Sequence, residues 1–165
     1  MSAPRDDIEP VPIESLPLKD PSVLVDPAVQ EFYAYWQGLC GDDPIPSADS
    51  FELVDVAHLA PEMIMVDHEK PGLNFRFRLV GADIVDRLSI DPTGDLIADF
   101  PDTEFWATAR ELCRRVVLER QPYCRAPQST SYPDRSFIIV EVITLPLLNE
   151  FGDVSRVISL IHFTN

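Results

Sequence analysis

The stretch Phe137-Ile138-Ile139-Val140-Glu141-Val142-Ile143-Thr144-Leu145 most constrains the fold, because it is aliphatic at odd and even positions alike. Successive side chains of a strand point to opposite faces, so a strand apolar on both must be covered on both. The chain therefore needs a sheet with a layer on each side. Asn74 to Gly81 alternates instead, with Phe75, Phe77 and Leu79 on one face and Arg76 and Arg78 on the other. Glu62 to His68 reads as a further strand, and Lys70-Pro71-Gly72 joins the two as a hairpin. Tyr123 to Ala126 and Val154 to Phe163 complete the strands, with a polar loop from Pro127 to Arg135.

Helices are marked by their ends. Asp26 caps a first helix over 28–40, Pro27 suits its opening position, and Gly41 stops it. Val29, Phe32, Tyr33, Trp36 and Cys40 make one apolar stripe along it. Two short helical turns fit between Gly81 and Phe100, split by Asp91-Pro92-Thr93-Gly94, the residue order of a type I turn. A longer helix runs from Thr103 to about Arg120, with Arg114, Arg115 and Arg120 toward its negative end. The order predicts an α+β domain over 28–165: a five-stranded antiparallel sheet, helices on one face, and the N-terminal helix available for the other. Residues 1–27 are Pro-rich and acidic, which precludes a helix. They form either a disordered tail or an arm laid across the domain through Ile13, Leu16, Leu18 and Val23 to Val25.

Composition narrows the partners. Thirteen Lys and Arg stand against 28 Asp and Glu, a net charge of −15. Such a chain repels phosphate backbones and anionic membrane surfaces, which argues against nucleic acid and membrane as partners. The opening residues Met1 to Asp7 contain no apolar signal region, and no apolar run approaches the ~20 residues of a membrane span. Cys40, Cys113 and Cys124 are odd in number and far apart, which suits reduced thiols in a cytoplasm.

Motifs of catalysis are missing. His58, His68 and His162 include no pair at metal spacing, and the acidic residues from Asp91 to Glu104 lack the order of a calcium loop. No nucleophile elbow, phosphate loop or dinucleotide fingerprint occurs. No catalytic or metal-ligating residue is therefore assigned. Glu141 is the exception to weigh. It is either salt-bridged to Arg76 or Arg78, or the buried acid/base of a small enzyme with His162 or an arginine beside it. The sheet and the Phe105 helix enclose a space lined by Phe77, Trp106, Cys113, Ile139, Glu141 and Ile158. That space is either filled core or a pocket for a small-molecule ligand.

The element order resembles the PAS domain, and in particular a family of compact single-domain bacterial PAS-like proteins of unknown function. The resemblance spans about Phe32 to Phe163. It is carried by Tyr35-Trp36-Gln37-Gly38-Leu39, Leu59-Ala60-Pro61, Asp67, Phe75-Arg76-Phe77-Arg78-Leu79-Val80-Gly81, Ile84-Val85, Asp91-Pro92-Thr93-Gly94, Leu145-Pro146-Leu147 and Gly152-Asp153-Val154. It departs at Ser89, where glycine is usual, at Asp95, where a basic residue follows the turn, and near Pro46, where arginine is usual. The resemblance implies a non-enzymatic sensory or regulatory module, and because the expected last strand uses the chain to its end, the signal is expected to pass to a protein partner in trans. It implies no cofactor: Cys124-Arg125 runs into Pro127, unlike the Asn-Cys-Arg-Phe of flavin-binding relatives. The helix over 103–120 has no His for haem. Helices preceding a PAS core commonly pair with a second copy, so a homodimer through Val29, Phe32, Tyr33 and Trp36 is expected. The alternative is that this helix folds back over its own sheet, and both can hold at once, with part of the stripe used internally and part across the interface.

Overall fold

The computed structural model describes residues 15–129 and 138–164. Along it run β1 (Leu16–Pro17), α1 (Pro27–Gly38), a 3-10 run over Leu53–Glu62, β2 (Met63–Glu69), β3 (Asn74–Val80) and α2 (Ala82–Leu88). A 3-10 turn over Ile97–Asp99 leads to α3 (Glu104–Glu119), followed by β4 (Tyr123–Ser129), β5 (Ile139–Leu148) and β6 (Val154–Thr164). The strands form one sheet in the order β1-β4-β5-β6-β2-β3, and each neighbouring pair is antiparallel. Five of these strands are the expected ones. The sixth comes from the N-terminal arm, where Leu16 and Pro17 pair with Cys124 and Tyr123. Leu18 N donates to Pro122 O at 2.9 Å, and Leu24 is buried, so residues 15–26 lie across the domain. Leu16, Val23 and Val25 stay exposed, and Ile13 falls outside the described residues, as does Phe137.

β5 is covered on both sides, as its sequence requires. Side chains alternate along it, and the cross-strand pairs Glu141 with His162, Ile143 with Leu160 and Leu145 with Ile158 share one face. α1 lies on that face. Asp26 caps it by accepting from Ala28 N at 2.8 Å, Val29, Phe32 and Trp36 are buried, and Trp36 Nε1 donates to Pro146 O at 2.8 Å. Val140 and Val142 face the other way, toward α2 and α3. Of the four residues expected to meet a second copy, Val29, Phe32 and Trp36 thus pack inside the chain, and Tyr33 keeps partial exposure. The helix also stops two residues short of expectation, with Leu39 as its C-cap.

Three local features depart from the sequence reading. The 3-10 run Leu53–Glu62 was legible in no periodicity, because Pro61 and a kink at Val56 interrupt it. β4 continues past Ala126 to Ser129 by shifting register between Arg125 and Gln128, so that Pro127, which has no N–H to give, sits in the irregular step. Residues 130–135 of the expected loop lie outside the described residues. The Asp91 turn closes one residue later than expected, with Asp95 N donating to Pro92 O at 2.9 Å and Gly94 at φ +91°. A positive φ in the third position makes this a type II geometry, which glycine tolerates at little cost. Gly94 N then bonds Phe77 O at 2.8 Å, strapping the turn onto β3.

Gly81 joins two of the motifs quoted above. A methyl group there would collide with the backbone carbonyl oxygens of Ala60 and Pro61, while Gly81 N donates to Met63 O at 2.8 Å. Gly81→Ala is expected to destabilise by about 1–3 kcal/mol, because backbone cannot move aside as a side chain can. Urea unfolding of the variant checks this, and an unchanged midpoint would refute the close approach.

Candidate functional site

A cavity of about 230 Å³ lies between the sheet and the α2–α3 layer. Its sheet wall is built by Val66, Phe77, Val140, Val142 and Ile161, and its helical wall by Ile84, Phe105, Ala109, Leu112 and Cys113. Alternation makes this wall. Val140 and Val142 are two apart on β5, and Ile161 pairs with Val142 across to β6. Ser159, further along that face, shares a hydrogen with buried Thr144, their oxygens 2.9 Å apart. Arg125, only 4% exposed, pairs with Val142 from β4 and presents the buried charge of the site.

An aromatic cluster braces one end. Phe100 stacks on Trp106 with centroids 4.0 Å apart, and Phe77 meets Trp106 edge-on at 5.9 Å and Phe100 at 6.3 Å. Trp106 therefore supports Phe77 from behind without itself lining the cavity.

Of the residues expected to line a pocket, Phe77 and Cys113 stand in the wall. Ile139, Glu141 and Ile158 do not. All three sit on the opposite face of the sheet: Val140 and Val142 occupy the cavity side of β5, so Ile139 and Glu141 face the other way, and Ile158 of β6 pairs with Leu145 on that same face. Ile158 is fully buried there, and Ile139, at the start of β5, is exposed. Sequence reasoning missed Arg125 and Ser159. The one available sign was a charged or hydroxyl residue interrupting an otherwise apolar strand.

Glu141 takes neither role offered to it. Arg76 pairs with Glu69 at 2.7 Å and Arg78 with Asp67 at 3.3 Å, on the far side of the sheet order. The Glu141 carboxylate, 3% exposed, instead accepts from Val25 N and Asp26 N, both at 2.8 Å. It is a fastening for the chain leading into α1. His162 continues the arrangement, with Nε2 3.0 Å from Asp26 and Nδ1 3.0 Å from Glu62. Both Glu141 oxygens are spent on backbone, and the side chain faces away from the cavity, so it offers no general base there.

Cys113 is not held as a thiolate. Burial pushes its thiol up to about 12, which keeps it protonated near neutrality. Cys124 is also raised, first by burial and then by the negative charge of Glu141. Among the described residues, no three His, Cys, Asp or Glu side chains gather as a metal site, and no helix is long and apolar enough to cross a membrane. A family model described as a PAS domain matches residues 24–162. No curated protein matches the chain.

Proposed function

The chain belongs to the PAS domain family, and on that premise we propose that it is a sensory module whose internal cavity takes a small, largely apolar ligand. PAS domains as a class are sensory and regulatory rather than catalytic modules. The observation that carries the finer reading is the apolar cavity between β5 and α3, walled by secondary structure and lined also by the buried Arg125 and the half-buried Ser159. Convergence of a few polar groups in an apolar hollow is the usual character of a small-molecule site. In this reading the output passes through contact with another protein in trans. The free thiols of Cys40, Cys113 and Cys124 suit a reducing cytoplasm as its place of action.

Neither flavin nor haem is part of the proposal. Cys124 sits on the face opposite the cavity, paired with Ile143, and α3 carries no His. The competing reading, a filled interaction domain, is separated by native mass spectrometry of freshly purified protein. A retained mass above that of the bare chain, released on denaturation, is the expected result. Bare protein in every preparation, together with no thermal shift across a panel of apolar fragments, would end the sensor reading.

A further inference from the structure

Thr144 and Ser159 put two hydroxyls opposite each other on β5 and β6, on a face where the neighbouring Val142, Val157, Ile161 and Ile64 are apolar. Their oxygens lie 2.9 Å apart, so one donates to the other. Two hydroxyls carry two hydrogens, and the bond between them uses one. Among the described residues neither oxygen has a second partner. Which hydrogen is left over follows from burial. Thr144 is 1% exposed, and a spare hydrogen there would be sealed in with nothing to accept it, at the full cost of an unmade bond. Thr144 therefore donates to Ser159, and the spare hydrogen belongs to Ser159. That residue lines the cavity, while Ile158 and Leu160 beside it and Ile64 across from it are buried, so the surface it exposes is turned to the cavity.

From this we infer that the ligand is an uncharged carbonyl compound, a ketone or ester on a small apolar body, whose oxygen accepts the spare hydrogen of Ser159. The inference rests on the ligand-cavity reading above and adds the ligand's chemical class. A donor left over in an apolar wall selects for an acceptor, because a pure hydrocarbon would bury that hydrogen unpaired. It selects against a carboxylate as well. Ionised oxygens give up several water bonds on entry, and one neutral hydroxyl returns a single bond. The Arg125 guanidinium in the same wall has an interaction of its own. No carboxylate lines the cavity among the described residues, so nothing there offsets a cationic head. Phe77, Phe105, Leu112, Val140 and Val142 suit a ring or a short chain. At about 230 Å³ the cavity falls below the usual range for drug-sized ligands, so the body is small.

Titration calorimetry of the full chain with acetophenone, cumene and benzoate tests this, since the three share a shape and differ in carrying a carbonyl, a hydrocarbon branch or a carboxylate. Acetophenone is expected to bind one-to-one and to weaken about five- to tenfold in Ser159→Ala, the worth of one neutral hydrogen bond. Cumene has no acceptor and should bind both proteins alike, and benzoate should bind at least about tenfold more weakly than acetophenone. Infrared spectra of acetophenone labelled at its carbonyl carbon should place the bound stretch below its value in hexane, and Ser159→Ala should send it back. An acetophenone affinity that Ser159→Ala moves no more than that of cumene would overturn the inference while leaving the ligand cavity standing. So would a bound stretch at the hexane value, or benzoate binding as tightly as acetophenone. Binding of none of the three would overturn the cavity reading itself. The carbonyl stretch and the benzoate comparison need no variant, so they decide even if Ser159→Ala fails to fold.

Discussion

Phe77→Ala is expected to lower the unfolding free energy by about 3–5 kcal/mol, the usual cost of deleting a buried ring. Phe77 is 2% exposed, and its loss would remove the edge-on contacts to both Phe100 and Trp106 as well as the apolar area. The site cannot collapse to compensate, since β3 is held in register by β2 and the Gly94 strap bonds the Phe77 carbonyl. The hole would instead merge with the existing cavity. Urea unfolding followed by tryptophan fluorescence reads the change, with Trp106 as the local reporter. A loss under about 1 kcal/mol would mean that the ring is not part of the core.

Glu141→Ala is expected to cost about 2–3 kcal/mol. Hydrogen bonds to a charged partner are worth about 1.5–3 kcal/mol each, and two backbone donors would lose theirs together. Water reaching Val25 and Asp26 would recover part, since both groups are only partly buried. Glu141→Gln should cost roughly half as much, because its amide oxygen still accepts from one N–H while its NH2 faces the other. The loss should be local in its consequences. Amide exchange at Val25 and Asp26 is expected to quicken, and limited proteolysis to cut within residues 15–26 before the sheet opens. If exchange quickened uniformly over the domain, Glu141 would be a general core residue and not a fastening.

Periodicity made much of this architecture legible. Asn74 to Val80 alternates without ambiguity, and Asp26-Pro27 marks the start of α1 by capping chemistry that the structure reproduces atom for atom. The facing of β5 was a different matter. A strand with aliphatics at both parities carries no sign of which set meets which layer, and Ile139 or Val140 could have lined the cavity equally well. The asymmetry lay in Glu141, a carboxylate whose partners are backbone groups 115 and 116 residues away. No local pattern encodes such a partner. The same limit hid Arg125, which is buried on a strand of seven residues paired to β5. Short-range turn chemistry, by contrast, failed only by one residue, at Pro92–Asp95, where two closures were sterically open and the bond from Gly94 to Phe77 selected one.

β5 serves two clients through alternate residues, and this limits how its length can vary. Inserting or deleting a single residue between Val140 and Leu145 would exchange the contents of the two layers from that point on. Glu141 would enter the apolar cavity without its N–H partners, and a valine would be left against the approach to α1. Two residues at a time preserve parity but displace Trp36 from the Pro146 carbonyl. Length changes in relatives of this chain should therefore be absent from the strand and collect at its ends, in the 130–137 segment and the Asn149–Asp153 turn. An alignment placing a single-residue gap inside β5 would be misaligned rather than informative.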